Sequence, residues 1–528
     1  MMKQRVMLII ILGFSWLVPV PAQQTQNLEV IWCRHAQRGG ATSPGWRLLG
    51  CGDINNDGFG DFAMTEESHW DTIPSRVYLF YGGDPPDTMP DLTFQDDTIM
   101  DLFGSGLASG LFNTDAFPDL AISNEPRKVN IYFGGPGMDT TADFVIYRPV
   151  GGAEFGEALT SSDVNGDGWD DLVVGDYWGE DAKGAVFIYY GGPLLDGVPD
   201  IILKGHSPET FGHSVGGGGD VNGDGFEDVA VGAPERSGGG MVTIFYGGNP
   251  MDTIPDIWQG GQGSGGLLGN WGVVITRGSL NNDRFSEGCW GTPAYQVYRG
   301  IVYILHGGDP MDSIPDVTIH GRYDTTDFSY SIAEGGRVTG GPYTSVWVGA
   351  ITSTAPSGRW VGAAYLFLGG ANMDTIPDGI IYGRCRSDAM GGVVAGAGDI
   401  NNDGKDEVMV SNYFGTGDST RAVWVLRYTG VGVEERKEDT RSLIRDTRLR
   451  ILQNPTTKAK GIRLLAISHS PHAKLQIYDV AGKLVESFAL NPMPSAPCPI
   501  TLHLNPGVYF VRLETEAAMV TKKVVVVE

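Results

Sequence analysis

The chain has few cysteines, few basic residues and no long apolar run after its first 22 residues. Five cysteines in 528 residues are too few for a disulfide-held fold, and no two of them have metal-site spacing. The net charge of −26 argues against nucleic acid and anionic membrane surfaces as partners. No later stretch approaches the roughly 18 apolar residues of a transmembrane helix, so no transmembrane segment is predicted.

Sustained helical periodicity is also absent, whereas glycine is abundant. The chain has 78 glycines in 528 residues, about twice the average usage. They show no three-residue period, which excludes collagen. This composition favours many short strands joined by tight turns.

The first 22 residues resemble no part of a folded domain. Lys3 and Arg5 supply positive charge, a largely apolar run follows from Val6 to Val18, and Ala22 ends a small-residue cleavage site. This order predicts a secretory signal peptide.

The negative charge lies in the part of the chain before residue 431. Residues 23–430 contain 53 acidic and 21 basic side chains, a net charge of −32. Residues 431–528 contain 10 acidic and 14 basic side chains, a net charge of +4.

A nine-residue acidic segment accounts for much of this charge, because it recurs with a mean period of about 58 residues. Each full copy has oxygen-bearing side chains at positions 1, 3, 5 and 9 and glycine at position 6. Weaker copies at 113–119 and 281–287 lack the first carboxylate, and a seventh at 337–345 keeps only the flanking strand pattern. The side chains of the four full copies are Asp53, Asn55, Asp57 and Asp61; Asp163, Asn165, Asp167 and Asp171; Asp220, Asn222, Asp224 and Asp228; and Asp399, Asn401, Asp403 and Glu407.

These loops carry the ligand types that a hard cation prefers. Carboxylate and amide oxygens with a sharp glycine turn suit Ca²⁺, and position 7 would add a backbone carbonyl, from Phe59, Trp169, Phe226 or Lys405. We therefore predict about four Ca²⁺ sites. An EF-hand or dockerin loop needs a twelfth-position acid and flanking helices, whereas strand-forming residues follow here. A metal-free turn rich in Asp and Asn is the alternative.

Each repeat also predicts about four short strands. A β-branched and aromatic run precedes a Gly-Gly pair, which paired aspartates follow, as in Asp87 and Asp91 or Asp252 and Asp256. We expect these aspartates to cap a hairpin, a second cation site being the alternative. Seven four-stranded units bury their faces when arranged radially, so the fold class predicted is all-β, a seven-bladed β-propeller. The strand Leu28–Trp32 is expected to complete the last blade.

The repeats resemble the FG-GAP repeat of integrin alpha subunits. The fourth repeat has the whole pattern: Phe211-Gly212, the loop Asp220 to Asp228, and Val231-Gly232-Ala233-Pro234. The resemblance covers roughly residues 28–428. It implies a propeller with calcium in the loops of one face and partner binding at the other face or the rim.

A second all-β pattern follows a mixed-charge linker. The predicted domains are the signal peptide 1–22, the propeller 23–430, the linker 431–452 and a small immunoglobulin-like β-sandwich, 453–528. Asn454-Pro455, Tyr478-Asp479, Gly507-Val508-Tyr509 and Lys522-Lys523 resemble the C-terminal sorting domain of type IX secretion. That resemblance implies the type IX machinery as a partner and a secreted or outer-surface location. A plain immunoglobulin-like module is the alternative.

Other motifs give weak support for catalysis. Gly212 to Gly216 matches the nucleophile pattern G-x-S-x-G around Ser214, but that motif needs a strand–turn–helix context. His206 and His213 are the only close histidine pair in the predicted propeller. Cys51 is expected to be a packing residue near the axis, with a Cys33–Cys51 disulfide as the alternative.

The sequence thus predicts a calcium-binding, non-catalytic adhesion or recognition module with an extracellular protein or glycan as ligand. The alternative is an extracellular polysaccharide- or lipid-cleaving enzyme on a propeller scaffold. An enzyme would concentrate non-repeating polar residues in a few loops, and 260–271 and 322–359 are the candidates.

Overall fold

The computed structural model describes two units, one within Met1–Glu434 and one within Glu435–Glu528. The signal peptide and residues 431–447 of the linker lie outside the described residues. Those described are 25–430 and 448–527, except for 36–41, 69–73, 97–101, 150–153, 179–182, 207–208, 262–266, 271, 294–298, 322–326, 356–359, 372, 385–387, 413–420, 452–455, 458–461, 468–472, 480–482, 491–497, 503–506 and 515–518.

The first unit consists of seven antiparallel sheets, here called blades 1 to 7, as predicted. In chain order the strands are β1 (Thr25–Gln26) and β2 (Leu28–His35); β3 (Thr42–Gly52), β4 (Asp61–Ser68), β5 (Arg76–Phe80) and β6 (Leu92–Gln95) in blade 1; β7 (Leu102–Gly110), β8 (Asp119–Glu125), β9 (Lys128–Tyr132) and β10 (Phe144–Tyr147) in blade 2; β11 (Phe155–Ser162), β12 (Asp171–Asp176), β13 (Ala185–Tyr189) and β14 (Ile201–Lys204) in blade 3; β15 (Ser214–Gly219), β16 (Asp228–Ala233), β17 (Met241–Phe245) and β18 (Ile257–Gly260) in blade 4; β19 (Val273–Ile275), β20 (Gly288–Thr292), β21 (Ile301–Leu305) and β22 (Val317–His320) in blade 5; β23 (Phe328–Glu334), β24 (Ser345–Ala350), β25 (Ala363–Leu368) and β26 (Gly379–Tyr382) in blade 6; and β27 (Met390–Gly398), β28 (Glu407–Asn412) and β29 (Ala422–Tyr428) in blade 7.

The first strand of each blade lies innermost and contacts the first strand of the next blade. The contact between β27 and β3 closes this ring. Every acidic loop follows an innermost strand, so all of these loops lie at one end of the ring, here called the acidic face. The innermost strands begin at the other end, here called the opposite face.

Strand β2 completes blade 7, which confirms the predicted closure. It pairs antiparallel with β29, from Leu28 opposite Tyr428 to His35 opposite Ala422, with a bulge between Val30 and Trp32. The strand is longer than predicted. The preceding strand β1 adds a fifth strand to blade 6 by pairing with β26, which the sequence did not indicate.

The core lies between adjacent blades. Trp32 of β2 is 3% exposed and packs edge-on against Phe62 and Phe80 of blade 1, with ring centroids 5.2 and 5.1 Å away. Met409 and Val425 of blade 7 belong to the same buried cluster. The closing strand therefore joins the last blade to the first through side-chain packing as well as through its sheet.

Backbone hydrogen bonds connect each acidic loop to the loop of the preceding blade. In blade 4 the N–H of Glu227, at position 8, donates to the Asp163 carbonyl at 3.1 Å, and Gly248 N–H donates to the Val164 carbonyl at 2.7 Å. Among the described loops, the position 8 bond is missing only between blades 1 and 2, where Pro118 has no N–H. The other position 8 bonds are Gly60 to Asp399, Asp170 to Leu111, Ser286 to Asp220, Thr344 to Ser279 and Asp406 to Arg337.

Close packing against two acidic loops explains the recurring Gly-Gly pair. A Cβ on Gly247, the first glycine of the pair in blade 4, would lie 2.3 Å from the Glu227 carbonyl oxygen of its own loop and 2.8 Å from the Val164 carbonyl oxygen in the loop of blade 3. A Cβ on the equivalent Gly82 or Gly191 would lie 2.4 or 2.2 Å from a carbonyl oxygen of its own blade's loop. Glycine is required there because the turn passes directly against the loop of its own blade and, in blade 4, against that of the preceding blade as well.

The second unit contains two sheets. The described residues of the tail form strands, as its all-β pattern predicts, and its sandwich class stays a prediction. Strand β30 lies within the residues predicted as linker, so the tail's strands begin at Arg448. The strands are β30 (Arg448–Ile451), β32 (Ile462–Ile467) and β35 (Cys498–Leu502) in one sheet, and β31 (Thr456–Thr457), β33 (Ala473–Asp479), β34 (Leu484–Leu490), β36 (Gly507–Glu514) and β37 (Met519–Val527) in the other.

Candidate metal loops and axial cavity

The four full acidic loops share one pattern of internal hydrogen bonds. In blade 1, Asp57 N–H donates to both Asp53 Oδ1 and Asn55 Oδ1 at 2.9 Å, and Gly58 N–H donates to Asp53 Oδ2 at 2.8 Å. Phe59 N–H then donates to Asp57 Oδ1 at 3.0 Å. The side chains at positions 1, 3 and 5 are thereby brought to one side of a single turn.

The loops of blades 3 and 7 repeat these bonds. Asp163 and Asn165 accept from Asp167 N–H at 3.0 and 2.8 Å, and Asp399 and Asn401 accept from Asp403 N–H at 3.0 and 2.9 Å. At position 7, Trp169 and Lys405 donate their N–H to the position 5 carboxylate.

The loop of blade 4 differs in one bond. Asp220 Oδ1 accepts from Gly223 N–H rather than from Asp224, while Asp220 Oδ2 still accepts from Gly225. Asn222 and Asp224 keep the pattern, because Asp224 N–H donates to Asn222 Oδ1 at 2.9 Å and Phe226 N–H to Asp224 Oδ1 at 3.0 Å.

The carboxylate at position 9 is fully buried and ties the loop to its blade. Asp228 Oδ2 accepts from Val221 N–H at 2.7 Å, and its Oδ1 accepts from Gly247 N–H at 2.9 Å. Asp61 and Asp171 make the same two bonds to their own loops and Gly-Gly pairs. Glu407, in the blade without a Gly-Gly pair, accepts from Ile400 N–H and from the Asn401 amide.

Burial raises the pKa of these position 9 carboxyls. It brings the pKa of Asp61 to about 7 and the pKa values of Asp171, Asp228 and Glu407 to about 8. The backbone N–H donors oppose this shift, and the other loop carboxylates add to it. A cation beside the loop would stabilise the charged form of these acids and offset the burial.

The donor set of each full loop fits a hard cation. Carboxylate and amide oxygens gather on one turn, which is the ligand type and arrangement that Ca²⁺ takes. In the described part of the chain, no three His, Cys, Asp or Glu side chains form a ready-made cluster. The loop carboxylates instead accept backbone N–H groups, so calcium binding stays a prediction.

The two weaker loops keep the structural part of the pattern. Asp119 accepts from Phe112 and Gly134 N–H, and Glu287 accepts from Leu280 N–H, as the other position 9 acids do. At position 1 of the blade 5 loop, the Ser279 hydroxyl takes the carboxylate's place and accepts from Asp283 N–H at 3.1 Å. Whether these loops bind metal also stays a prediction.

The aspartates after each Gly-Gly pair cap hairpins, as expected. Asp256 Oδ2 accepts from Tyr246 N–H at 2.8 Å across the hairpin, and Asp252 Oδ1 accepts from Ile254 N–H at 2.7 Å. Asp91 and Asp87 do the same in blade 1.

A cavity of 270 Å³ lies on the propeller axis at the opposite face, lined by the innermost strands of all seven blades. One backbone feature recurs at this cavity. The residue equivalent to Gly212 of the Phe211-Gly212 pair has a positive φ in every blade, for example 89° at Gly212 and 70° at Ser329. The residue that follows it differs in every blade. This set, here called the variable column, is Trp46, Ser105, Glu157, His213, Asn270, Tyr330 and Gly392.

Every member of the variable column except Ser105 lines the cavity, together with Arg47 and Arg421. Arg47 Nη2 lies 3.5 Å from Glu157 Oε1, and its Nε donates to the Ser105 carbonyl at 2.6 Å. His213 Nδ1 is 2.8 Å from the Asn270 carbonyl oxygen. Sequence reasoning missed this site, although the variable position after a residue that is glycine in six of the seven blades was a signal that could have found it.

Titratable side chains of blades 2 and 3 interact electrostatically with Glu157 of the cavity lining. Glu125, 4% exposed, has its pKa raised by burial, and a hydrogen bond with the Glu154 carboxyl raises it further. Burial and nearby Glu157 also raise the pKa of Tyr177, whose ring lies 4.8 Å from that of His213. Burial lowers the pKa of His213.

A second cavity, of 660 Å³, lies on the axis toward the acidic face. Cys51, Ser109 and Ser161 line it from blades 1, 2 and 3, which agrees with the expectation that Cys51 lies near the axis. Arg277 also lines it, and its Nη2 donates to Ser161 Oγ at 2.7 Å, from blade 5 to blade 3.

The remaining motifs have structural explanations. Ser214 begins strand β15 and donates to the Gly269 carbonyl of the next blade at 2.6 Å, so the nucleophile motif lacks its strand–turn–helix context. Cys33 and Cys51 are both free, so the alternative of a disulfide between them was wrong. Cys33 Sγ instead lies 3.0 Å from His35 Nε2.

The fold and loops define a seven-bladed propeller that contains FG-GAP repeats and is followed by a C-terminal sorting domain. The FG-GAP repeat model matches residues 155–189 and 211–245. The model of the secretion system C-terminal sorting domain matches residues 454–527. The sorting domain indicates a secreted or outer-surface location and the type IX secretion machinery as a partner.

Integrin alpha subunits are among the similar proteins. Integrin alpha-5 of Xenopus laevis is 30% identical over 237 residues, 41% of this chain and 22% of that protein. Phosphatidylinositol-glycan-specific phospholipase D of Homo sapiens is 33% identical over 179 residues, 29% of this chain and 21% of that protein. The chain therefore spans only about a fifth of the length of these curated relatives.

A solved structure of PorZ, described as an essential bacterial surface component of the type IX secretion system of Porphyromonas gingivalis, aligns at lower similarity. Its TM-score is 0.38 and its identity 11%, over 92% of this chain and 59% of that one.

Of the helices in the described residues, none has both the length and the apolar character needed to cross a membrane.

Proposed function

We propose that the propeller is a calcium-stabilised, non-catalytic recognition module that binds an extracellular protein or glycan. The observation that carries this proposal is the repetition of one hard-oxygen loop in four blades, all on the acidic face of a closed ring. The net charge of −32 in residues 23–430 adds to it, because loop carboxylates without a cation repel one another at close range.

The enzyme alternative has a weaker basis. The cavity does bring together the carboxylate of Glu157 and the imidazole of His213, and the phenol of Tyr177 lies beside His213. The serine of the nucleophile motif, Ser214, donates its hydroxyl to the Gly269 carbonyl oxygen rather than to a general base. We therefore favour binding over catalysis for the opposite face.

Calcium is tested first by thermal unfolding of the purified chain in millimolar calcium and in EDTA. Extracellular sites bind calcium with Kd on the order of 10⁻⁴–10⁻³ M. A few millimolar calcium then contributes about 1 kcal/mol per site, so four sites should raise Tm measurably. An unfolding curve that is the same in calcium and in EDTA would contradict the proposal.

A pair of aspartates in the same type of turn gives a matched control. Asp224→Asn should remove one calcium ligand charge and reduce the calcium-induced rise in Tm by about a quarter. Asp252 makes the same bond to the N–H two residues ahead, but in the outer hairpin. Asp252→Asn should leave the calcium response unchanged, and equal effects of the two variants would show that the acidic loop has no special role.

Recognition is tested by binding of the full chain to glycan and protein arrays in calcium and in EDTA. We expect binding to at least one class of extracellular ligand, and expect it to be lost or weakened in EDTA. Absence of binding to both arrays in calcium would contradict the recognition function.

A further inference from the structure

The variable column has the properties of a recognition site built on a repeated frame. The repeat fixes the backbone, since the residue before each member has positive φ, and the ring directs six of the seven members into one cavity. Packing alone gives repeated residues at repeated positions, as in the Gly-Gly pairs. Tryptophan, glutamate, histidine, asparagine and tyrosine at equivalent positions indicate different contacts with one bound molecule.

The charge of the lining is opposite to that of the unit. Residues 23–430 carry a net charge of −32, yet among the described residues the charged groups that line this cavity are two guanidiniums, of Arg47 and Arg421, and one carboxylate, of Glu157. Arg47 uses two donors, toward Ser105 and Glu157, and a guanidinium has five. Donors therefore remain for an anionic ligand, and the planar guanidinium matches a carboxylate.

The other lining groups suit a hydroxylated ring. Trp46 offers an aromatic face, and the Arg421 guanidinium lies 6.0 Å from the centre of its ring. Asn270, His213 and Tyr330 provide hydrogen-bonding groups from three further blades. The volume of 270 Å³ lies near the lower limit for a small-molecule site, so it accommodates one or two sugar residues rather than a long chain.

We propose that the axial cavity at the opposite face binds a uronic acid residue, that is, a sugar ring carrying a carboxylate. Arg47 and Arg421 bind the carboxylate, Trp46 packs against the ring, and Asn270 and His213 contact hydroxyls. This inference rests on the recognition function proposed above and names the ligand class for it.

Calorimetric titration of the full chain in calcium with three probes tests the proposal. The probes are a galacturonic acid trisaccharide, the same trisaccharide with its carboxyls reduced to alcohols, and citrate. We expect the uronate to bind at least tenfold more tightly than either of the others. Equal binding of the reduced sugar would overturn the role of the arginines, and equal binding of citrate would overturn the role of the sugar ring.

Variants locate the binding in the cavity. Arg47→Met should weaken uronate binding at least tenfold and leave the weak binding of the reduced sugar unchanged, whereas Asn270→Ala should weaken both. Lys128, in an ion pair with Asp96 on the third strand of blade 2, is the matched control, and Lys128→Gln should bind like the wild type. Wild-type uronate affinity in both Arg47→Met and Asn270→Ala, with unchanged Tm, would contradict the site.

The result also separates this inference from the broader function. A chain that binds other ligands on the arrays but no uronate retains the recognition function and loses this proposal. A chain that binds nothing in calcium loses both.

Discussion

The buried carboxylate at position 9 of the acidic loops has a role that does not depend on metal. In blade 4, Asp228 joins the start of its own loop, through Val221 N–H, to the Gly-Gly turn, through Gly247 N–H. Asp119 makes the same bonds in a loop without a first carboxylate. The acid therefore persists in the weaker loops because the blade needs it. The carboxylate at position 1 and the glycine at position 6 distinguish the full loops.

Replacing Glu125 by glutamine should reveal its raised pKa in the pH dependence of stability. The folded state holds the Glu125 proton above the ordinary carboxyl pKa of about 4.3, so this group's stabilisation is complete below that pH and is lost as pH rises toward the raised pKa. Glutamine keeps a donor for Glu154 and does not titrate. Glu125→Gln should therefore gain Tm relative to the wild type as the pH rises from 5 to 8.

The control for this prediction is the exposed Glu235, for which Glu235→Gln should shift Tm equally at both pH values. Thermal unfolding at pH 5 and pH 8 provides the measurement. A Tm difference between Glu125→Gln and wild type that does not change with pH would show that Glu125 titrates normally.

At the scale of elements, each blade is completed by its neighbour. The loop-to-loop bonds satisfy carbonyls that a single blade would leave unpaired, and the hydrophobic clusters span two blades. The strands determine the blade, but the Gly-Gly turn determines how closely two blades approach.

The Gly-Gly pair provides a test of this approach. Gly247→Ala should destabilise the propeller by about 1–3 kcal/mol, because its Cβ would lie 2.3 Å from the Glu227 carbonyl oxygen of blade 4 and 2.8 Å from the Val164 carbonyl oxygen of blade 3. Gly248→Ala should cost less, because its nearest neighbour would be the Pro250 carbonyl oxygen at 3.5 Å. Urea denaturation measures both, and equal losses would mean that the close packing at Gly247 does not limit stability.

Much of this architecture was predictable from the sequence, and the axial site was not. Strands and loops were found because each has local residues of the right kind, and repetition every 58 residues or so reinforced the pattern. The cavity takes variable-column residues from six of the seven blades, and those residues differ, so only their shared place after a positive-φ residue could have marked them. The bonds between loops use backbone groups, which the sequence shows only indirectly through Pro118 and the Gly-Gly pairs.

At the scale of the whole molecule, closure depends on packing at β2. Trp32→Ala should destabilise the entire propeller by about 3–5 kcal/mol, because it empties a buried site between blades 7 and 1. The matched control is Trp258 on the outer strand β18, which is 67% exposed, and Trp258→Ala should change stability by less than about 0.5 kcal/mol. Urea unfolding followed by circular dichroism distinguishes them, and similar midpoints for the two variants would contradict a closing role for β2.

The sorting domain should be separable from the propeller's stability. Deleting residues 448–528, from β30 onward, should leave the propeller's Tm unchanged and abolish its appearance at the cell surface or in the medium of a host with type IX secretion. Cell fractionation with a propeller antibody measures the location. Normal surface display of the truncated chain would show that this tail is not the export signal.

Because β2 pairs with β29, the ring closes only when the chain has been made as far as β29. The two strands are contributed by residues about 390 positions apart, and everything between them forms the rest of the ring. A chain that stops before Ala422 leaves β2 without a partner and the edge of β28 open. Such an edge is a site for aggregation and proteolysis. Truncated chains would therefore differ from full-length chains by their exposed strand edges, independently of ligand binding and of the sorting domain.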